Sequence, residues 1–572
     1  MEQLCDEYLT SGDSAILLVA ISERVSNRDG LEDVSNVLLL DKYQLLLAQL
    51  GWDLISLVIP RLPPTESRGW ELLRTTTTLC SPKEMCLALL EQMAQLNNIA
   101  VFFKMMKPLQ AVVLKLRPVA VVSTLKEVAP LVSAALRGFE GQRRLMDNAA
   151  GEEAGESGDE EGSGEVEAGT TLDEDLACNG LLLSIEFVAR FVDLSEALTE
   201  HKTLLQSQCS NFLLSIMGYP LISMKHKMAT PICSQIMHQV VRCRVGAFQL
   251  LQGEGLGDGE GSPPALGVAF FAYLLLVDHM EQSYLPMVIR KDYLLHVVLT
   301  HVKTLLQRSE SRVMLKGLAL LTAVLVPAHS LNSTVLDDPQ YVDTAELLCR
   351  VIVNCPHKTL RERSMKMLLD FINLFDTPGT HKLYKSLCHS VKHSGLLGLL
   401  IFHIKNEVDA ALRGGGVGSP FLGHSLVPLL DMMFVVRDDE DLLTDSDRIM
   451  GALNFLRFLL IRDKPGSNHT TVWSQASSLV GRFTDPLRRA LYATKMHARE
   501  EIAKAEQSLM MMKSAPQDGD PAPVLTVEVS GEVLPGVSPK DELQALHAAL
   551  QRLDMIECVL VRVEELLETA AK

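Results

Sequence analysis

Four residues of the kind that bind metal, His381, Cys388, His389 and His393, fall within thirteen positions of this 572-residue chain. Imidazole nitrogen and thiolate sulfur are the donors zinc prefers, so the first chemistry to test is a metal site. Zinc ligands come in spaced pairs across a turn, whereas Cys388 and His389 are adjacent and leave a helix on different sides. The spacing predicts structural roles. Cys349, Cys355 and His357 form another short group with no second half, and the same expectation applies. Residues 253–267 read G-E-G-L-G-D-G-E-G-S-P-P-A-L-G. A glycine-rich loop cradles phosphate when a strand precedes it and G-K-[ST] ends it. Here both are missing, and Glu254, Asp258 and Glu260 repel phosphate, so the segment reads as a linker or loop. Asp438, Asp439, Glu440 and Asp441 lack the interleaved spacing of a calcium loop and read as the solvated entry to a helix at Ser446. No G-x-S-x-G, H-E-x-x-H or Walker sequence occurs. The residues predict no catalytic, cofactor-binding or metal-binding site, and the chemistry left is recognition.

The stretch that best suits recognition is residues 538–568. Ser538 stands as an N-cap, Pro539 at the first helical position, and Asp541 and Glu542 in the first turn, where negative charge favours the helix. Leu546, Ala549, Leu553, Ile556, Leu560, Val563 and Leu567 recur at spacings of three and four, one apolar seam on a helix about 45 Å long. Beside it runs a second stripe, Leu543, His547, Leu550, Asp554, Glu557, Val561 and Glu564, which begins apolar and turns acidic. The stripe is either the solvated edge of a plain amphipathic helix or a face shown to a partner.

The elements that must position this helix are themselves helical. Leu, Met, Val and Ala dominate, aromatic residues are scarce, and strand-like alternation is nearly absent, which predicts an all-α bundle or solenoid. Eleven of the acidic residues behind the formal charge of −18 fall between Glu152 and Asp175, leaving −7 for the remainder. A mildly acidic folded part disfavours nucleic acid or an anionic membrane as the main partner. The N-terminus has no signal-peptide pattern, and the longest unbroken apolar run, residues 268–277, is too short to span a bilayer. The 11 cysteines are scattered, odd in number and never C-x-x-C, so they read as buried free thiols of a reducing compartment, the cytoplasm by default.

Along the chain, helical periodicity fills residues 1–146. Trp52 reads as core with Leu54, Ile55, Val58 and Ile59, and Ser81 with Glu84 reads as a capping box. Residues 147–176 form an acidic insert expected to be disordered, either solubilising or a docking tail for basic partners. Helical repeats resume over 177–252, the Gly-rich loop covers 253–267, and denser helix fills 268–572. Residues 358–375, K-T-L-R-E-R-S-M-K-M-L-L-D-F-I-N-L-F, resemble one helix of a HEAT-type hairpin, and helices about 20 residues apart agree with a two-helix repeat of roughly 40. The alternation T-V-E-V-S-G-E-V-L-P before the last helix suggests a short extended connector. The expected fold is an all-α, HEAT-like helical-repeat solenoid with a disordered acidic insert.

Two stretches, D-L-L-T-D-S-D-R-I-M-G-A-L-N-F-L-R-F-L-L-I-R-D at 441–463 and L-H-A-A-L-Q-R-L-D-M-I-E-C-V-L-V-R-V-E-E-L-L-E at 546–568, resemble the glomulin family of HEAT-like proteins. Shorter echoes follow in order, among them L-G-W-D-L, L-C-S-P-K-E-M, K-P-L-Q-A-V-V-L-K-L and C-P-H-K-T-L-R-E-R-S. The acidic insert and the Gly-rich loop depart from the family pattern. The resemblance implies a non-catalytic inhibitor of cullin-RING ubiquitin ligases. Such a protein binds the ring-box RING subunit through its C-terminal end, here about 440–572, and covers the docking surface of the ubiquitin-conjugating enzyme. It also implies association with an FK506-binding immunophilin and a growth-factor receptor tail, and a part in vascular development. On that implication Leu543, His547 and Leu550 would meet an apolar shelf, and Asp554, Glu557 and Glu564 its basic rim, with Val561 in the same stripe and Asp447 and Arg448 as the alternative contact. The rival readings are a HEAT-type scaffold or adaptor holding a peptide along its concave surface, and an unrecognised helical enzyme.

Overall fold

The structure, a computed structural model, describes residues 1–25, 28–153, 167–224, 226–252, 265–286, 288–325, 330–414, 418–436, 441–514, 527–529, 532–534 and 539–571. It is all-α in architecture, as the composition predicts, and divides into two compact units, Met1–Val326 and Pro327–Lys572.

The first unit begins with α1 (Glu2–Ser11), α2 (Ser14–Arg24), α3 (Arg28–Leu38), α4 (Gln44–Val58), α5 (Arg68–Leu79) and α6 (Pro82–Gln95). It continues with α7 (Ile99–Lys104), α8 (Met106–Val113), α9 (Pro118–Glu153), α10 (Glu167–Ala197) and α11 (Lys202–Ile216). It ends with α12 (His226–Arg242), α13 (Ala247–Gln252), α14 (Ala265–Leu276), α15 (Lys291–Leu306) and α16 (Ser311–Val324). Two rows result. Helices α2, α4, α6, α9, α11, α14 and α16 touch in succession, and α3, α5, α8, α10 and α12 form the facing row. Each helix has an apolar stripe that only a neighbour can cover, so stacking repeats builds one continuous core. Trp70, Phe103, Phe187, Phe191 and Phe212 lie fully inside it. The α11–α14 crossing is so close that a Cβ on Gly267 would stand 1.9 Å from the Leu214 carbonyl oxygen.

The second unit comprises α17 (Pro339–Asn354), α18 (Lys358–Ile372), α19 (Thr377–Ser390), α20 (Ser394–Arg413), α21 (Val427–Met433), α22 (Ser446–Arg462), α23 (Ala476–Leu479), α24 (Asp485–Ser514) and α25 (Pro539–Ala571). Asp338 and Asp376 cap α17 and α19, accepting from the Gln340 and Gly379 amides at 3.0 and 2.8 Å, each ahead of a proline in the first turn. Helix α20 packs on α22, α22 on α25 and α25 on α24. The α20–α22 contact runs backbone to backbone: a Cβ on Gly398 would meet the Asp447 carbonyl oxygen at 2.8 Å, and one on Gly451 the Gly398 Cα at 3.2 Å. Between α24 and α25 the expected connector is a hairpin of β1 (Val527–Val529) and β2 (Glu532–Leu534), antiparallel with Glu528 opposite Val533.

Several local expectations change. Trp52 is 45% exposed, not core, because α4 turns Leu54, Ile55 and Val58 inward and Trp52 falls on the opposite side. Ser81 does precede α6, but its hydroxyl makes no cap hydrogen bond, so no capping box forms. All cysteines are unpaired, yet Cys558 is exposed. Two stretches, Asp41–Arg61 and Pro118–Phe139, are long and apolar enough to cross a membrane by length and composition, which a search for unbroken apolar runs misses. Residues 154–166 of the acidic insert, 253–264 of the Gly-rich loop, Asp438, Asp439, Glu440 and Ser538 lie outside the described residues. Helices α9 and α10 enter the acidic segment from either side, and the last residues of the Gly-rich segment open α14.

Candidate functional site

The metal-type residues have other tasks. His381 is half-buried, its Nε2 3.0 Å from the Ser425 carbonyl oxygen, and burial lowers its pKa. His393 caps α20, its Nδ1 accepting from the Leu396 amide at 3.3 Å, while His389 faces solvent. Burial pushes the Cys388 and Cys349 thiols up to about 12, far from the reactive thiolate range. Among the described residues no three His, Cys, Asp or Glu side chains gather as a metal site would require.

The last helix forms as its pattern dictates, with Pro539 at its first position and Asp541 and Glu542 in its first turn. The apolar seam divides in two. Leu553, Ile556, Leu560, Val563 and Leu567 are buried, while Leu546 and Ala549 are half-buried. In the neighbouring stripe His547, Asp554, Glu557 and Val561 are exposed, and Leu543, Leu550 and Glu564 half-buried.

The acids of that stripe meet cations from α24. Lys495 reaches both Asp554, at 2.5 Å, and Glu557, and Arg488 reaches Glu564 at 2.5 Å. The pairs 488–564 and 495–557 run in opposite numerical directions, which fixes α24 and α25 as antiparallel. Lys495 stands in the buried seam of α24, with Leu487, Leu491, Ala498 and Ile502, and is only 5% exposed. Burial by itself would lower its pKa, but the hydrogen bonds to Asp554 and Glu557 outweigh that and hold the ammonium above the usual lysine range. The hydrogen bond to Glu564 likewise raises Arg488. Sequence reading of α25 alone missed both cations. The available signal was a lysine in an apolar seam, which requires a carboxylate from the facing helix.

The same register sets Tyr492 level with Val561. Tyr492 is 70% exposed and Met496 is exposed beside it, so the α24–α25 pair presents an apolar strip of Tyr492, Met496 and Val561 flanked by the ion pairs. Large aromatic side chains so displayed are the kind that anchor protein interfaces.

The alternative contact is arranged differently. Asp447 is exposed in the first turn of α22. Arg448 is buried, its Nε 2.6 Å from Asp445 and its Nη1 3.1 Å from the Val435 carbonyl oxygen, where it ties the segment after α21 to α22. Its guanidinium is engaged within the protein. At the far end of α22, the buried Asp463 carboxylate accepts from the His469 amide at 3.0 Å, and from the Thr470 amide and hydroxyl at 2.7 Å each. Trp473 Nε1 donates to the Asp463 carbonyl oxygen at 2.5 Å. That single residue therefore shapes the turn leading toward α24, a role its place at the end of a helix gave no sign of.

A family model described as the uncharacterised protein family YAP/Alf4/glomulin matches residues 270–525, which includes α24 and stops before α25. Human glomulin is 35% identical over 317 residues, covering 55% of this chain and 52% of the human protein. The match therefore spans about half the length of that relative. Mouse glomulin is 27% identical over 570 residues, covering 93% of this chain and 90% of the mouse protein. The ordered motifs, the all-helical repeats and these matches agree on one conclusion: over most of its length the chain is similar to glomulin.

Proposed function

We propose that this chain is a non-catalytic, cytoplasmic inhibitor of cullin-RING ubiquitin ligases that binds the ring-box RING subunit and covers the docking surface of the ubiquitin-conjugating enzyme. The observation that carries the reading is the strip of Tyr492, Met496 and Val561 on the α24–α25 pair. A docking shelf on a RING is apolar with basic neighbours, and this strip is apolar with carboxylates at its edge. Two packed helices form a preformed surface, which loses little entropy on binding. Asp554, Glu557 and Glu564 first serve α24, and they reach a partner only as members of shared ion-pair networks.

That arrangement decides the test. Charge reversal at Glu557 would set a cation against buried Lys495 and confuse binding with folding. Tyr492→Ala, at an exposed position outside the ion pairs, avoids this. In a ubiquitin-chain assay with a reconstituted cullin-RING ligase, the wild-type chain should suppress chain formation. Tyr492→Ala with Val561→Ser should weaken suppression about tenfold or more, as for loss of an aromatic anchor, with unchanged helical content. Full suppression by the double variant would remove the strip from the mechanism. No suppression by the wild type would reject the inhibitor reading in favour of a scaffold.

A further inference from the structure

Helix α4 is apolar on more than its core side. Leu46, Leu47, Leu50, Leu54, Ile55 and Val58 are buried, yet Leu45, Ala48 and Trp52 line its exposed side, with Leu45 62% accessible. Its row neighbours repeat the pattern: α2 exposes Ile16, at 63%, and Val19, and α6 exposes Leu87. Spacings of three and seven put Ile16 with Val19, and Leu45 with Trp52, on one side of their helices. Helices α2, α4 and α6 touch in that order, so the exposed apolar residues lie on adjoining members of one row. Single exposed apolar residues are ordinary, whereas several on adjoining helices, a tryptophan among them, point to an interaction surface.

The charges around this set are mainly acidic. Asp13 and Glu23 stand at the two ends of α2, Asp53 beside Trp52, and Glu84 and Glu91 one turn either side of Leu87. The nearby cations are Arg24, next to Glu23 at the end of α2, Lys83 and Lys42, and Lys42 is paired with Glu2 at 3.1 Å and Asp6 at 3.6 Å. An apolar ridge with an acidic border selects its occupant by charge. A second copy would bring acid against acid, an anionic membrane would be repelled, and so would this chain's own acidic stretch between Glu152 and Asp175. We propose that the outer side of α2, α4 and α6 is a docking surface for a basic amphipathic helix of a partner protein, whose apolar stripe lies along Leu45 and Trp52 while Lys or Arg residues meet Asp53, Glu84 and Glu91. This surface is independent of the α24–α25 strip.

The test uses the full-length protein and a labelled helical peptide of about 18 residues, Leu at i, i+3, i+4 and i+7 and Lys elsewhere, with a Leu/Glu peptide of the same pattern as control. The Leu/Lys peptide should bind saturably by fluorescence anisotropy and the Leu/Glu peptide should not. Leu45→Ser with Trp52→Ser should weaken binding about tenfold or more, the scale of a lost aromatic anchor, with unchanged circular dichroism. Asp53→Lys with Glu91→Lys should weaken it as well, and tests the border should the serine variant melt early. Equal binding by wild type and both variants would place the peptide elsewhere, on the acidic stretch, and overturn the proposal. So would a wild-type dimer in sedimentation equilibrium, or vesicle binding, that the serine variant abolishes.

Discussion

Lys495 ties the last two helices together, although the sequence pattern did not single it out. A lysine in an apolar seam is tolerated only if its charge is answered, and Asp554 and Glu557 answer it from the facing helix. Because the folded-state pKa lies above the unfolded one, the ammonium contributes stability that is fully present below the ordinary lysine value. That contribution fades as pH rises through the raised value. The stability difference between wild type and Lys495→Met, from urea melts, should therefore be constant from neutral pH to about 9.5 and move against the wild type above about 10.5. A difference that stays flat to pH 11 would mean that the ammonium is not stabilised by the fold. Asp463 makes the complementary point, since a buried carboxylate with four amide and hydroxyl donors, from Ser467, His469 and Thr470, is satisfied by its own loop and needs no cation.

At the scale of an element, α25 separates packing from display. Ile556 is buried against its neighbours, and Val561, five residues on, is exposed. Ile556→Ala should cost about 2–4 kcal/mol of unfolding free energy, as for other large-to-small core changes. Val561→Ala should stay within about 0.5 kcal/mol, as surface substitutions do. Comparable losses at both sites, by chemical denaturation, would show that the stripe is packed and not displayed. The seam was legible in the sequence because helical periodicity alone determines which residues share a side. The state of the stripe was not, because its acids are answered by Arg488 and Lys495 on α24, 59 to 76 positions earlier. Trp52 failed for a related reason: hydrophobicity says that a residue prefers to be covered, while only the neighbouring helices decide whether it is. Arg448 was read from a well-matched motif as a contact, and its enclosure by Asp445 and the carbonyl groups of Met433 and Val435 depends on chain that no periodicity places.

At the scale of the molecule, the division at Val326 gives each half its own core, and two glycine crossings offer a way to address the halves separately. Gly267 lets α14 meet the backbone of α11 in the first unit, and Gly398 lets α20 meet α22 in the second. A larger side chain at either site must displace main chain, which close-packed interiors resist. Helical repeats transmit stability mainly to nearest neighbours, so damage in one unit should stay largely within it. Scanning calorimetry of the full chain should resolve more than one transition, with Gly267→Leu lowering one and Gly398→Leu lowering another, each by several degrees. Each variant should also keep the binding function of the undamaged unit at temperatures below its own shifted transition. Gly267→Leu should retain suppression of ubiquitin-chain formation, and Gly398→Leu should retain capture of the Leu/Lys peptide. A single transition moved equally by both substitutions would instead make the chain one cooperative block, in which neither surface can be altered without the other.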